Sequence, residues 1–177
     1  MNRTRASGMI VTAVMLAVLA PAGYAEDACA TFKWDVASER TLFSGAAQTS
    51  AAARDLTSAV QLVPGRLYAL SLAPQAQIQL AAPLGRKAGV EGVFGGLAHL
   101  KVATAGRYRI SLDQAGWIDV VGEHGTLTAS DFSGASDCSA PHKIVQFELP
   151  AGELVLQLTG IRNALIRLAV TPVPTPN

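Results

Sequence analysis

The chain has 177 residues, of which 50% are hydrophobic and 15% are charged. This composition argues against intrinsic disorder and predicts a globular domain with a well-filled core. The 14 basic and 13 acidic residues nearly balance, so the chain lacks the excess positive charge with which proteins bind nucleic acid.

Residues 1–25 have the three-part layout of a bacterial-type export signal. Arg3 and Arg5 come first without an acidic residue, an apolar run over 9–20 follows, and small residues lead to a predicted cleavage site after Ala25. The apolar run is shorter than the roughly 20 residues of a membrane-spanning helix. Cleavage leaves 152 of the 177 residues, with 12 basic against 13 acidic side chains. The sequence therefore predicts a periplasmic or secreted protein without stable membrane insertion.

Both cysteines of the chain, Cys29 and Cys138, lie in the predicted exported part. An oxidising compartment favours one disulfide between them, which would tie the start of the mature chain to a distant loop. In the chain-entropy model such a closure stabilises the fold by about 4–5 kcal/mol. A metal-binding or redox-active thiol pair is the alternative, although the chain has no Cys-x-x-Cys spacing.

Residues 26–63 are predicted to form a partly helical lead-in to the main domain. Apolar side chains over 37–60 recur at irregular helical intervals, while Gly45 and the many Ser and Thr residues weaken the helical pattern. The pattern does not decide whether 37–60 packs on the main domain or links it to something else. Trp34 is predicted to hold the beginning of the lead-in against that domain.

Residues 64–171 are predicted to form the main domain, because their hydrophobic pattern has the period of two that is typical of half-buried strands. Short glycine-containing turns between the strands favour antiparallel hairpins, and regular spacing favours a sandwich or a barrel. Residues 172–177 are rich in proline and are predicted to be a disordered tail. About eight strands are predicted, at 68–72, 76–80, 98–102, 108–112, 117–121, 145–149, 154–158 and 166–170.

The run Ala105–Leu112, followed by Trp117–Val121, resembles core strands of the jelly-roll β-sandwiches attached to secreted bacterial enzymes. Examples are pre-peptidase C-terminal domains and many carbohydrate-binding modules, and the resemblance covers roughly residues 64–171 as a pattern. It implies an all-β, jelly-roll-like antiparallel sandwich. Acid-rich calcium loops are frequent in such domains, but this chain has no clear one, so calcium is not implied. A shared fold does not assign a ligand.

Recognisable catalytic and cofactor motifs are absent from the sequence, including Gly-x-Ser-x-Gly, His-Glu-x-x-His and Gly-x-x-x-x-Gly-Lys. We therefore expect no cofactor, and we predict a non-catalytic binding or accessory domain whose partner is an envelope protein or a glycan. Its binding surface should be a sheet face or one of two long loops, 81–96 and 122–141.

The first candidate binding surface contains Trp117 and Asp119, which share one face of their predicted strand. If Ile118 faces the core, an aromatic ring and a carboxylate point outward beside the polar side chains Arg107 and Arg109. An aromatic plate with hydrogen-bonding neighbours suits sugar recognition, because the apolar face of a sugar ring stacks on it. This surface supports the alternative that the chain is a carbohydrate-binding module.

The second candidate site is a metal site near the 122–141 loop. His124 and His142 flank this loop, and Asp137 lies within it. Imidazole and carboxylate groups are common ligands of transition metals. A small metal-binding protein is therefore a further alternative, against the simpler interpretation that these are surface residues.

Overall fold

The computed structural model of the protein describes residues 27–84, 91–138 and 140–174. The predicted export signal lies outside the described residues. No described helix is long and apolar enough to cross a membrane. The described residues form one α-helix, α1 (Ala37–Ser44), and 3-10 turns at Ala28–Thr31, Leu56–Ser58 and Gln75–Gln77.

Twelve strands are formed by the described residues. They are β1 (Gln48–Ala51), β2 (Val60–Leu62), β3 (Leu67–Ser71), β4 (Ala73–Pro74), β5 (Phe94–Val102), β6 (Gly106–Leu112), β7 (Trp117–Gly122), β8 (Gly125–Thr126), β9 (Asp131–Gly134), β10 (Lys143–Leu149), β11 (Gly152–Ile161) and β12 (Leu165–Pro172).

The strands form two sheets that pack face to face, which confirms the predicted all-β sandwich. Sheet A has the order β1-β3-β12-β6-β10-β9, and sheet B has the order β2-β5-β11-β7-β8, with β4 paired to β5. Eight of these strands have the jelly-roll arrangement, in which β3-β12-β6-β10 face β5-β11-β7-β8. The strands β1, β2, β4 and β9 are additions at the sheet edges.

The core lies between the two sheets and contains the alternate side chains that the period of two predicts. Its fully buried members include Leu70, Ile110 and Leu168 from sheet A and Leu100 and Leu156 from sheet B. Burial on this scale accounts for the stability of a domain that carries few charges, because removal of apolar surface from water is the main favourable term in folding.

The predicted hairpins are mostly wrong, although the pairing is mainly antiparallel. The turns after β5 and β6 carry the chain from one sheet to the other, so β6 pairs with β12 and β10 rather than with its neighbours in sequence. A glycine turn reverses the chain equally well within a sheet or between two sheets. In addition, β1 pairs with β3 and β2 with β5 in parallel.

The predicted strand at 76–80 is wrong, since a 3-10 turn at Gln75–Gln77 and irregular chain occupy this region. The backbone N–H of Gln75 donates to Val93, and the side-chain oxygen of Gln75 accepts from the N–H of Gly160. The glutamine therefore anchors a segment that runs over sheet B and contacts the internal strand β11. Glutamine and apolar residues alternate here as they do in a strand, but the backbone of this segment does not pair with a described strand.

The predicted tail begins too early, because β12 continues through Pro172. This proline pairs with Tyr108, and the N–H of Val173 then donates to Arg107 O over 2.8 Å. In an antiparallel ladder, the nitrogen of Pro172 consequently faces away from β6, on the side where β3 no longer pairs with β12. A proline is tolerated there because no ladder hydrogen bond is lost. Residues 175–177 lie outside the described part of the chain.

The lead-in packs on the sandwich rather than linking it to another body. Its strands β1 and β2 join sheets A and B, and α1 covers the outer face of sheet A. On the inner side of α1, Phe43 is buried against Leu67 and Ala169. The sandwich therefore includes residues from the region predicted as lead-in.

Cys29 and Cys138 form the predicted disulfide across 109 positions. Both cysteines are buried with Phe32 and Ile144, and Trp34 packs against this group. The disulfide cluster holds the beginning of the lead-in on the outer face of sheet A, as predicted for Trp34.

Candidate functional site

A cleft opens at the side of the sandwich where the two sheets differ in width. Strand β8 has only two residues and pairs with β7 only at Val121 and Gly122, so no described strand of sheet B lies beside residues 117–119. Sheet A, in contrast, continues beyond β10 with the four residues of β9. No described strand of sheet B therefore covers the inner faces of β9 and β10 along this side. We call the opening the open-side cleft.

Phe132 on β9 projects into the open-side cleft. It pairs with Val145, whose side chain belongs to the core, so both residues lie on the inner face of sheet A. Val145 is buried, whereas 65% of Phe132 is exposed. An inner-facing aromatic side chain is thus exposed because none of the strands that the structure describes in sheet B lies opposite it. Such exposed apolar surface is typical of an interaction site.

Trp117 at the start of β7 forms the opposite wall. Ile118 points into the core, and Trp117 is 41% exposed, as the alternation of the strand requires. Gly160 on β11 allows the ring to lie against the backbone: its φ is +66°, and a Cβ there would come within 3.1 Å of the Trp117 ring. This glycine lies in a bulge of β11, where the pairing with β5 shifts between Leu158 and Ile161.

Lys143 connects the two walls across the mouth. It lies two residues before Val145 and so starts on the inner face of β10. Its ammonium group donates to the carbonyl oxygen of Gly116 and lies 4.5 Å from the centre of the Trp117 ring. A cation in this position is attracted by the ring, and Lys143 as a whole residue is half-buried.

The cleft has two lobes that share Trp117, Phe132 and Lys143. The inner lobe has a volume of about 270 Å³ and reaches between the sheets, whereas the rim lobe has a volume of about 390 Å³ and is more open. The other residues that line the inner lobe are Ile118, Asp119, Leu127, Ala129, Val145 and Phe147. The other residues that line the rim lobe are Ala115, Gly116, Ser133, Gly134, Ala135, Ser136, His142 and Gly160.

The polar groups of the two lobes differ. Among the described residues that line the rim lobe, Lys143 is basic and none is acidic. Asp119 also lines the inner lobe, but its side chain points to the outer face of sheet B, where Oδ2 accepts from the side-chain amide of the buried Gln157 over 3.2 Å. The mouth with Lys143 is therefore the favourable end for an anionic group, and the interior of the inner lobe is apolar.

Lys33 and Asp131 protect the edge of β9 next to the cleft. The Lys33 ammonium is 2.7 Å from Asp131 Oδ1 and 5.3 Å from the centre of the Phe132 ring. Hydrogen bonds from Lys33 and from the N–H of Phe132 hold the pKa of Asp131 below its ordinary value. A lysine across an edge strand hinders further strand pairing. The exposed surface is consequently the aromatic cleft rather than the backbone of β9.

The four predicted binding residues do not form one site. Arg107 and Arg109 lie on β6 in sheet A, and Trp117 and Asp119 lie on β7 in sheet B, so their outward faces are on opposite sides of the sandwich. Trp117 and Asp119 do share one outer face and both line the inner lobe. The sequence pattern indicated which side chains of each strand point outward, but it did not indicate to which of the two sheets each strand belongs.

The two arginines are engaged in contacts within the domain. Arg107 is paired with Glu148, with 2.6 Å between Nε and Oε1. The guanidinium of Arg109 lies 4.7 Å from the Trp34 ring and donates to the carbonyl oxygen of Asp35 over 2.9 Å. Arg109 therefore holds the lead-in on sheet A.

The predicted metal ligands do not form a metal centre. Nowhere in residues 27–84, 91–138 and 140–174 do three His, Cys, Asp or Glu side chains group so as to hold an ion. His124 is exposed in the β7–β8 turn, Asp137 is exposed beside the disulfide, and His142 lines the rim lobe.

Phe132 and Lys143 were not among the sequence-predicted site residues. Phe132 lies in a segment predicted to be a long loop, and a single aromatic side chain among small and polar residues was the available signal. Lys143 continues the inward series of Val145 and Phe147, and a lysine at an inward position was the second signal. Neither signal indicates a binding site until the structure shows that β8 is short and leaves Phe132 and Lys143 at an open side of the sandwich.

Comparison of the chain with models of known protein families, with curated proteins and with solved structures finds no match. The resemblance to accessory domains of secreted enzymes therefore stays a prediction.

Proposed function

We propose that this chain is an exported, non-catalytic binding protein of the bacterial cell envelope, and that its ligand occupies the open-side cleft. The observation that carries the proposal is the exposure of Phe132 on an inner sheet face, opposite Trp117. Large side chains of a core ordinarily avoid water, and partly covered apolar clefts with a few polar groups are the usual form of a ligand site.

Export is supported by two independent features. Residues 1–25 carry the predicted signal, and the Cys29–Cys138 disulfide fits an oxidising compartment. A disulfide-bonded domain suits a place outside the cytoplasm. The predicted signal leads us to propose the periplasm or the medium as that place.

A rigid scaffold supports recognition by the cleft. Trp117 and Lys143 come from opposite sheets, and the ammonium group lies between the carbonyl oxygen of Gly116 and the Trp117 ring. The positions of these two side chains are thus set by strands of the sandwich. A preformed site loses little conformational entropy when a ligand binds.

A carbohydrate-binding module is the second candidate, and the exposure of Trp117 beside Asp119 favours it. Sugar stacking requires an open aromatic face. The Lys143 ammonium already lies over the Trp117 ring, and the backbone of Gly160 lies against the edge of the ring. These contacts favour a ligand that enters between Trp117 and Phe132 over a sugar ring stacked on Trp117.

A photo-crosslinking experiment tests the proposal in the exporting cell. Phe132 is replaced with the photoreactive p-benzoylphenylalanine, and the matched control carries it at Leu165, which is 54% exposed and lies outside the cleft. We expect an adduct that forms at position 132 and not at 165, and that disappears when Trp117→Ala is added. Identical adducts at both positions, or none at 132, would contradict the proposal.

A glycan-binding screen separates the two candidates. Binding of a defined glycan that is lost in Trp117→Ala but retained in Phe132→Ser would favour the carbohydrate-binding module. Fractionation and N-terminal sequencing of the chain test export, with Glu26 as the expected first residue. A cytoplasmic chain that keeps Met1 or Asn2 as its first residue would contradict export.

A further inference from the structure

We infer that the ligand of the open-side cleft is a single-chain anionic amphiphile, with its apolar chain in the inner lobe and its anionic group at Lys143. The inference rests on the proposed function and names the class of ligand. A fatty acid carboxylate and a monoalkyl phosphate share this chemistry.

The inner lobe suits an apolar chain because its wall is the core of the sandwich. Ile118 comes from the inner face of sheet B, and Val145 and Phe147 come from the inner face of sheet A. A chain that enters between Trp117 and Phe132 would contact both sheets. It would take the place beside β7 that a longer β8 would occupy. Its methylene groups would leave water for an apolar surface.

The rim lobe suits an anionic group because its described lining has Lys143 and no carboxylate. The Lys143 ammonium lies at the junction of the lobes, where it bonds the carbonyl oxygen of Gly116. A carboxylate or phosphate at the rim would lie next to this ammonium group and accept a hydrogen bond from it. Hydrogen bonds between ionised groups are the stronger ones in proteins.

The lining sets the direction of entry. Ile118, Val145 and Phe147 make the interior of the inner lobe apolar, whereas the Lys143 ammonium lies at the mouth beside the carbonyl oxygen of Gly116. An ionised head group among the apolar side chains would lose its hydration without a partner, so the ligand binds chain first.

A ligand series tests the charge and the chain separately. Calorimetry with the disulfide-bonded exported chain compares dodecanoate, dodecanol, dodecyltrimethylammonium and acetate, with the two ionic surfactants below their micelle concentrations and dodecanol below its solubility limit. We expect dodecanoate to bind at least about tenfold more tightly than dodecanol, since a hydrogen bond to a charged group is worth about that ratio. Acetate should show no binding. Equal affinity for dodecanoate and dodecanol, or tighter binding of the cationic compound, would overturn the inference.

The length of the chain provides a second measurement on the unmodified protein. From hexanoate to decanoate the affinity should rise roughly three- to fourfold per methylene, the ratio for burial of that group in an apolar site. The rise should stop when the inner lobe is full. An affinity that is independent of chain length would contradict burial in the lobe.

Two pairs of variants locate the site. Lys143→Met keeps an apolar stem and should remove the preference for dodecanoate over dodecanol, while Lys143→Arg should retain it. Phe132→Ser should weaken both ligands by a similar factor. The control variants Lys101→Met and Leu165→Ser change an exposed lysine and an exposed leucine outside the cleft and should change neither affinity. Should Lys143→Met fail to fold, the ligand series on the unmodified chain and Phe132→Ser still decide the question.

The outcomes separate the inference from the proposed function. A crosslinked protein at position 132 together with no binding of dodecanoate would leave the proposed function standing and refute the amphiphile. Tighter binding of a short peptide with a C-terminal phenylalanine than of any fatty acid would assign the cleft to proteins and would equally refute it. Binding of dodecanoate that is insensitive to Phe132→Ser and Lys143→Met would show that the cleft is not the site.

Discussion

Replacement of Gly160 by alanine should displace Trp117 without unfolding the domain. Gly160 has a φ of +66°, and a Cβ there would lie 3.1 Å from Cδ1 of the Trp117 ring. A left-handed conformation costs an L-residue about 1–2 kcal/mol, and the stiffer unfolded chain returns about 0.4–1 kcal/mol. The net loss of unfolding free energy should therefore be about 1 kcal/mol, which lowers the Tm by about 2–4 °C for a chain of this size.

Gly65→Ala is the matched control for backbone strain. Gly65 has a φ of +82°, and no atom lies within 4 Å of the position that its Cβ would occupy. Both variants should lose similar stability in urea unfolding, but only Gly160→Ala should shift the emission of Trp117 and the near-ultraviolet circular dichroism. Trp34, the second of the two tryptophans, packs in the disulfide cluster and should contribute equally in both variants.

The result that would refute this reasoning is an equal spectral change in both glycine variants, or none in Gly160→Ala. An equal change would mean that Trp117 responds to global loosening rather than to the new methyl group. No change would mean that the ring does not lie against the backbone of β11. In either case Trp117 would not be the fixed wall that the open-side cleft requires.

Three further substitutions test the fold around the cleft. Replacing Cys29 and Cys138 with alanine should lower the unfolding free energy in urea by about 2–5 kcal/mol relative to the disulfide-bonded wild type, and the reduced wild-type chain should lose a similar amount. Leu156→Ala in the fully buried centre of sheet B should cost about 2–5 kcal/mol, and a loss below 1 kcal/mol would contradict its packing. Asp131→Asn should destabilise the domain at neutral pH but not in strong acid. The pKa of Asp131 is lowered in the folded chain, so its contribution to the free energy of unfolding is present above pH 3.8 and is lost as the pH falls through the folded pKa. A difference between wild type and Asp131→Asn that persists well below pH 3.8 would contradict this origin.

The strand positions were largely predictable because burial on one face is a local property of the sequence. Seven of the eight predicted strands coincide with strands of the sandwich, among them 108–112 within β6 and 154–158 within β11. The exception is 76–80, where polar and apolar residues alternate although the segment pairs with no described strand. Its Gln75 side chain bonds the backbone of Gly160 from outside the sheet, and a pattern of side chains cannot distinguish that contact from a ladder.

The pairing of strands was less predictable, because a turn has the same sequence signal whether it closes a hairpin or crosses between sheets. Gly106 follows β5 of sheet B and begins β6 of sheet A. The choice is made by burial of apolar surface over the whole domain, which no single turn encodes. Arg109 and Trp117 were grouped for this reason, although they lie on opposite outer faces of the sandwich.

The exposure of Phe132 follows from a property that lies elsewhere in the chain, namely the length of β8. An inner-facing phenylalanine on β9 would be buried if sheet B continued beside residues 117–119, but β8 pairs only with Val121 and Gly122. The chain then crosses to sheet A, and Leu127 and Ala129 of this crossover line the inner lobe. A short β8 therefore exposes the core at one side of the sandwich, while the centre of the core stays filled. The same shortening brings a lysine from an inward position to the mouth, which is why the cleft combines an apolar wall with a cation.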